Sequence, residues 1–317
     1  MDRVLVTGGA GFIGSNFVRH LLNNTNCAVV NLDKLTYAGN LNNIKDLRGE
    51  KRHKFIRGDI RNRKLVGSLV KKADAVVNFA AESHVDRSIK APNVFVESNV
   101  LGVQVLLEAC RRLGVRFEQI STDEVYGSRV EGSFSETDVL NPSSPYSASK
   151  AAADLLVNAY HVTYGLEVTV TRSTNNYGPN QHPEKLIPKL ITNALRGKPL
   201  PIYGSGQNIR DWIFVEDNCA AILSVLERGE KGHVYNIGGG NEKKNTDIAL
   251  EILRLLSLPD SMMTYVTDRP GHDFRYSLDC AKIHRLGWKS QVGFEEGLQK
   301  TIDWYTANHW WWRRLVC

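Results

Sequence analysis

Asp123 and Glu124 stand side by side, and Tyr146 and Lys150 follow four residues apart. A tyrosine and a lysine at that spacing share one face of a helix. An ammonium and a cationic ring nearby would lower the phenol's pKa. The phenolate could then take a proton from an alcohol while hydride leaves the same carbon, with a hydroxyl such as Thr122 bonded to that alcohol. Such an oxidation needs no further acid. Two adjacent carboxyls in a partly desolvated pocket push their pKa values apart, so that one stays protonated beside an ionised one. Asp123 and Glu124 therefore suggest a second proton-transfer task at the same place.

Neither pair means much unless the chain delivers it to a cofactor, because exposed helices carry Tyr-x-x-x-Lys by chance. The elements upstream supply that context. Arg3–Thr7 is a short β-rich apolar run leading into Gly8-Gly9-Ala10-Gly11-Phe12-Ile13-Gly14, and then a helical pattern follows with Phe17, Val18, Leu21 and Leu22. Glycines at 8, 11 and 14 permit a tight turn, close approach to a pyrophosphate and close helix–strand packing. The helix N-terminus adds unpaired N–H groups and a positive dipole end. The next strand ends in Asp33, whose carboxylate can accept from ribose hydroxyls and would repel a 2′-phosphate, so NAD is expected rather than NADP.

The βα pattern continues. Asp59 follows the strand at Phe55-Ile56 and could reach the adenine edge; Ala75–Phe79 ends in Ala80 and Ala81, small enough to leave room for a cofactor. Glu82 to Arg87 is a polar cluster at the C-terminal end of that strand, the ligand edge of a parallel sheet. The pattern predicts a helix over 92–113, a strand over 115–120 that delivers Ser121–Gly127, and a helix from Ser144-Pro145 to near Gly165 carrying Tyr146 and Lys150. Beyond Arg172 the chain turns rich in Asn, Pro and Gly. The expected fold is α/β: a doubly wound parallel sheet of Rossmann type with a smaller, mixed α/β substrate-binding domain. Residues 1–172 plus about 211–237 would form the first, and 173–210 plus about 238–317 the second.

Composition narrows the class. With 42% hydrophobic and 23% charged residues, the 317-residue chain is an ordinary globular one. A net charge of +6 welcomes anionic ligands, yet no dense basic block or nucleic-acid signature accompanies it, so no nucleic-acid partner is expected. Five scattered cysteines make neither a disulfide framework nor a metal cluster, and no metal is expected. No apolar run reaches the ~18 residues a membrane span needs. A cytoplasmic protein without a membrane partner is the expectation.

Several longer runs carry a family resemblance. They are 8–14, 33–40, 81–88, 122–127, 175–179, 183–188, 210–212, 236–245 and 268–273. Through them the chain resembles the extended short-chain dehydrogenases/reductases, and within them the branch that dehydrates nucleotide-bound hexoses. The resemblance implies a retained NAD, dTDP-glucose as substrate, and a product oxidised at C4 and deoxygenated at C6. Tyr146 would serve C4 oxidation with Thr122 and Lys150; Glu124 would take the C5 proton and Asp123 protonate the departing C6 hydroxyl, before hydride returns to C6. It implies cofactor contacts from Gly8, Gly11, Phe12, Ile13, Gly14, Asp33, Lys34, Thr36, Asp59, Ile60, Ala80, Ala81, Asn99, Tyr146 and Lys150. Substrate contacts would come from Ser83, His84, Asn175, Glu184, Lys185, Arg210, Asn245 and His272. A guanidinium fork suits a pyrophosphate, as Arg210 would provide. Phe274 departs from the pattern, where that branch usually has a basic residue. A homodimer through helices 92–113 and 145–164 is also implied.

Three other readings compete. A nucleotide-sugar 4-epimerase would also use Tyr146 and NAD but needs no acid–base pair at 123 and 124. A uronic-acid decarboxylase would typically pair a glutamate with a serine. A catalytically silent NAD-binding protein would be expected to have lost Tyr146 or Lys150, and both are present.

Overall fold

The computed structural model describes residues 1–268 and 273–316. Its strands, in chain order, are β1 (Arg3–Thr7), β2 (Ala28–Asp33), β3 (His53–Arg57), β4 (Ala75–Asn78), β5 (Arg116–Thr122), β6 (Val168–Ser173), β7 (Asn175–Tyr177), β8 (Leu200–Tyr203), β9 (Ile209–Phe214), β10 (His233–Ile237), β11 (Glu242–Lys244) and β12 (Met263–Val266). Among the described residues, seven of them form one sheet in the order β10-β6-β5-β4-β1-β2-β3. Every pairing in it is parallel. The sheet is doubly wound.

Strands covered on both faces must be apolar on both faces, and β1 and β4 meet that demand. Val4, Val6 and Val77 pack on one side with helices Phe12–Asn24 and Val215–Arg228; Leu5, Val76 and Phe117 pack on the other with helices Arg63–Val70, Gly102–Leu113 and Pro145–Tyr164. A third core gathers Tyr177, Leu190, Trp212, Phe214, Ile248, Leu298, Trp311 and Trp312 outside the large sheet, around a three-stranded sheet β11-β9-β7. The chain leaves the large sheet after β6, runs through β7, β8 and β9, and rejoins it with helix Val215–Arg228 and β10.

The helix expected over 92–113 is not regular. Pro92–Phe95 and Gly102–Leu113 are α-helical, but Val96–Leu101 between them is a π-helical turn. Asn99, a buried amide, lies within this turn. Asn99 Oδ1 accepts from the Glu82 amide (2.9 Å), and Nδ2 donates to the Glu82 carbonyl (3.0 Å) and to Ser149 Oγ (2.8 Å). The wider turn lets one side chain tie the loop after β4 to the helix that carries Tyr146. Helix Pro145–Tyr164 itself starts on a Ser144/Ser147 capping box with Pro145 at its first position, and stops at Gly165 in the left-handed region (φ 67°).

Among the described residues no helix is long and apolar enough to cross a membrane. Cys27, Cys110, Cys219 and Cys280 are free thiols.

Candidate active site

The C-terminal ends of β1, β2, β4 and β5 open on a cavity of about 720 Å³, the ligand edge of a doubly wound sheet. Its floor is the turn after β1. Gly8 has φ +73°, and a Cβ there would lie 2.5 Å from the Ala80 amide nitrogen; a Cβ on Gly14 would lie 2.3 Å from the Gly8 carbonyl oxygen. Only glycine fits either position. Asp33 steadies the turn by accepting from the Ala10 amide (2.9 Å) and the Leu35 amide (2.7 Å), one on each oxygen. A carboxylate has lone pairs beyond those two, so it can still accept from a ligand hydroxyl.

Gly8, Gly11, Phe12, Ile13, Gly14, Asp33, Lys34, Thr36, Asp59, Ile60, Ala80, Ala81, Tyr146 and Lys150 all line this cavity. Asn99 does not: its amide is spent on Glu82 and Ser149, and its part is to shape the wall. Asp59 is bonded by Lys34 and Arg61, both at 3.0 Å. Burial alone would raise its pKa, but those cations outweigh it and hold the carboxyl at about 2.

At the other end, Thr122, Asp123, Glu124, Tyr146 and Lys150 converge. β5 delivers Thr122, whose hydroxyl donates to Asp123 Oδ1 (3.1 Å) and accepts from the Glu124 amide (3.3 Å), starting the 3-10 turn Asp123–Tyr126. Asp123 is buried, and its Oδ2 has no hydrogen-bond partner among the described residues. Burial first, then the Glu124 charge, pushes its pKa up to about 8, against the Thr122 bond and the Arg210 charge. Asp123 is therefore held as an acid beside the half-buried Glu124.

Tyr146 departs from expectation. Its phenol lies above its ordinary pKa, raised by burial and by Glu124 and lowered only by its bond with Thr122. Lys150 does not offset this, because its Nζ donates to the Ile120 carbonyl. Burial lowers Lys150 to about 8 against the pull of Asp154. The protein by itself keeps the phenol protonated.

Of the expected substrate contacts, Ser83, Asn175, Glu184 and Lys185 line the cavity. Lys185 Nζ donates to the Ser83 carbonyl (2.9 Å), and Arg87 Nε to Glu184 Oε2 (3.2 Å). His84, Arg210 and Asn245 are not among the lining residues. Burial and the Lys185 charge lower His84 to about 4, so it is neutral at physiological pH. Arg210 donates to the carbonyls of Ile209 (2.7 Å), Asp273 (2.8 Å) and Phe274 (3.1 Å) and stacks on Tyr276, 4.4 Å from the ring centre. Asn245 opens helix Asn245–Leu255, with Oδ1 buried and without a hydrogen-bond partner among the described residues. His272 lies outside the described residues. Phe274, the departure from the family pattern, is 44% exposed.

Sequence reasoning passed over other parts of the wall. Tyr37, Asn176 and Gln181 line the cavity, as do Trp310 and Trp311 from near the far end of the chain. Trp311 Nε1 donates to Asn43 Oδ1 (2.8 Å), and Asn43 Nδ2 to the Ala10 carbonyl (2.9 Å), bracing the glycine turn from outside. Tyr37 could have been found, since it lies in the 33–40 run; nothing in the Trp310-Trp311-Trp312 run pointed to β1. Asn176 Oδ1 and Gln181 Oε1, like Asp123 Oδ2, are buried without hydrogen-bond partners among the described residues. Buried polar atoms are seldom left so. The cavity is built for a polar ligand.

Known proteins resemble the chain closely. The model of the GDP-mannose 4,6 dehydratase family matches residues 5–301. The low-salt glycan biosynthesis protein Agl12 of Haloferax volcanii is 54% identical over 96% of this chain and 99% of its own length. A dTDP-glucose 4,6-dehydratase of Streptomyces niveus is 52% identical over 99% of this chain and 95% of its own. The crystal structure of DesIV, a dTDP-glucose 4,6-dehydratase from Streptomyces venezuelae with NAD bound, superposes with a TM-score of 0.97 at 51% identity, covering 99% of each chain. The likeness runs over nearly the whole length, and the chain belongs to the GDP-mannose 4,6 dehydratase family, among the extended short-chain dehydrogenases/reductases.

Proposed function

We propose that the chain is an NAD-dependent hydro-lyase that converts dTDP-glucose to dTDP-4-keto-6-deoxy-glucose. The observation that carries this reading is Asp123: a buried carboxyl, unpartnered at Oδ2, kept protonated next to Glu124 on the cavity wall that also holds Tyr146. The residues fit the cofactor. Gly8 and Gly14 leave room that a Cβ would fill, and Asp33 keeps acceptor capacity at the adenosine end. NAD bound there supplies the acceptor for the C4 hydride and the donor for its return to C6, and its positive ring favours phenolate.

The protein's own groups move the protons. Tyr146 takes the proton of the C4 hydroxyl, with Thr122 bonded to the same oxygen. The resulting C4 ketone acidifies the C5–H and places the C6 hydroxyl β to the carbonyl. Glu124 removes the C5 proton as Asp123 gives its own to the C6 oxygen, which departs as water. Glu124 then returns its proton to C5 as C6 is reduced. Lys150 would hold the nicotinamide ribose, while Ser83, Asn175, Glu184 and Lys185 would face the nucleotide sugar. In this reading residues 1–172 with about 211–237 hold the cofactor, and the rest of the chain holds dTDP. Arg210, Asn245 and His84 are read as further contacts of the nucleotide sugar.

Substrate deuterated at C4 should give product carrying the label at C6 when the purified protein is incubated with no added cofactor. Label released into solution, or product lacking it, would sink the internal return of hydride.

The enzyme is further read as a cytoplasmic homodimer. Support comes from Ile89, Val94, Val96 and Leu101 on the segments through Val85–Leu113, and from Leu155, Val162 and Tyr164 on helix Pro145–Tyr164, all large apolar side chains left exposed. Sedimentation should find twice the 35.5 kDa chain mass. A monomer at micromolar concentration would refute the pairing.

A further inference from the structure

Beneath the catalytic helix lies a buried charge pair that the mechanism above does not use. Asp154 is one helical turn beyond Lys150, on the same face. Its Oδ2 accepts from Ser121 Oγ (3.0 Å) on β5 and from Arg172 Nε (3.0 Å) on β6. Arg172 goes on to the Tyr126 hydroxyl (2.7 Å), and that hydroxyl donates to Asn236 Oδ1 (2.8 Å) on β10. Asp154 and Arg172 are 3% and 5% exposed, and Asp154 Oδ1 has no hydrogen-bond partner among the described residues. Replacing such a pair by apolar side chains is often neutral for stability, so stability alone is a weak reason to bury it.

The arrangement has another use. Lys150 is out of water, with the neutral Ile120 carbonyl as its bonded partner. Charged groups on the elements around it are Asp154 on its own helix, Arg116 and the buried Glu118 on β5, Asp123 and Glu124 on the turn after β5, and Arg172 on β6. Burial pushes the Glu118 carboxyl well above the usual range. Asp86, Arg87, Lys90, Glu97, Glu108, Arg111 and Arg112, on the segments packed along the helix's other side, keep part or all of their side chains in water. Of all these, the charge that acts on Lys150 is that of Asp154. We propose that Asp154 is a positioning residue for the reaction: its carboxylate, fixed by Ser121 and Arg172, keeps the Lys150 ammonium charged and aligned one turn away. Tyr126 and Asn236 hold Arg172 in turn, so the anchoring runs through β5, β6 and β10.

This rests on the dehydratase reading, and the test separates the two. In an Asp123→Asn/Glu124→Gln background only C4 oxidation remains, so reduced nicotinamide on the protein reports the step that Lys150 serves. Its formation in that background should fall as pH rises through about 8, where Lys150 loses its proton. Adding Asp154→Asn, which keeps the shape and removes the charge, should move that fall to lower pH by about one unit or more. Adding Ser121→Ala instead loosens the carboxylate and should move it the same way by less. A fall that stays in place in both, or a loss equal at every pH, would overturn the proposal. Should Asp154→Asn not fold, Ser121→Ala decides alone. A background protein that forms no reduced nicotinamide at any pH would instead sink the dehydratase reading.

Discussion

Asp123→Asn combined with Glu124→Gln should cut formation of the 4-keto-6-deoxy sugar by a factor of about 10² to 10⁴ while reduced nicotinamide still builds up on the protein. The two halves of the reaction use different groups, so removing the acid and the base of the second strands the chemistry after the first. Product released at the normal rate would take both carboxyls out of the mechanism. The buried acid also has a thermodynamic signature. A carboxyl with a raised folded-state pKa keeps a proton that the unfolded chain has given up. Stability is therefore lost as pH climbs from the ordinary value of 3.8 towards about 8. The penalty at the upper end is of the order of a few kcal/mol. Asn has no proton to lose, so Asp123→Asn alone should melt at a higher temperature than the parent at pH 8, with the gap closing near pH 4. A variant that melts lower than the parent at both pH values would show that position 123 does not hold a costly carboxyl.

Tyr146→Phe should slow turnover by about 10² or more, and with a different signature. Neither product nor reduced nicotinamide should accumulate, because the block falls before the hydride moves. The argument is geometric as well as chemical. The phenol is buried, bonded by Thr122, and held above its ordinary pKa by burial and Glu124. A near-normal rate would assign the C4 proton elsewhere.

Much of this was legible in the sequence, and what was not has physical reasons. The turn at 8–14 could be read because glycine is demanded there by the Ala80 amide and by Gly8's own carbonyl, and such demands leave a spacing behind. Asp33, Tyr146 and Lys150 could be read because each sits at a fixed distance along a strand or helix from something periodic. The turn of Lys150 toward Ile120, and with it the protonated state of Tyr146, could not, since it depends on which backbone carbonyl burial leaves nearest. The π-helical turn at 96–101 hides for a similar reason. A single Asn in a helical pattern looks solvent-facing until the loop it clamps is known. Arg210 has the chemistry to grip a pyrophosphate, but three carbonyls and the Tyr276 ring engage it first. Residue type alone does not reveal such prior engagements.

Trp311 and Asn43 are bonded across a separation of 268 positions. Asn43 braces the glycine turn in its own right, through the Ala10 carbonyl. The floor of the cavity therefore leans on a side chain that belongs to a different core.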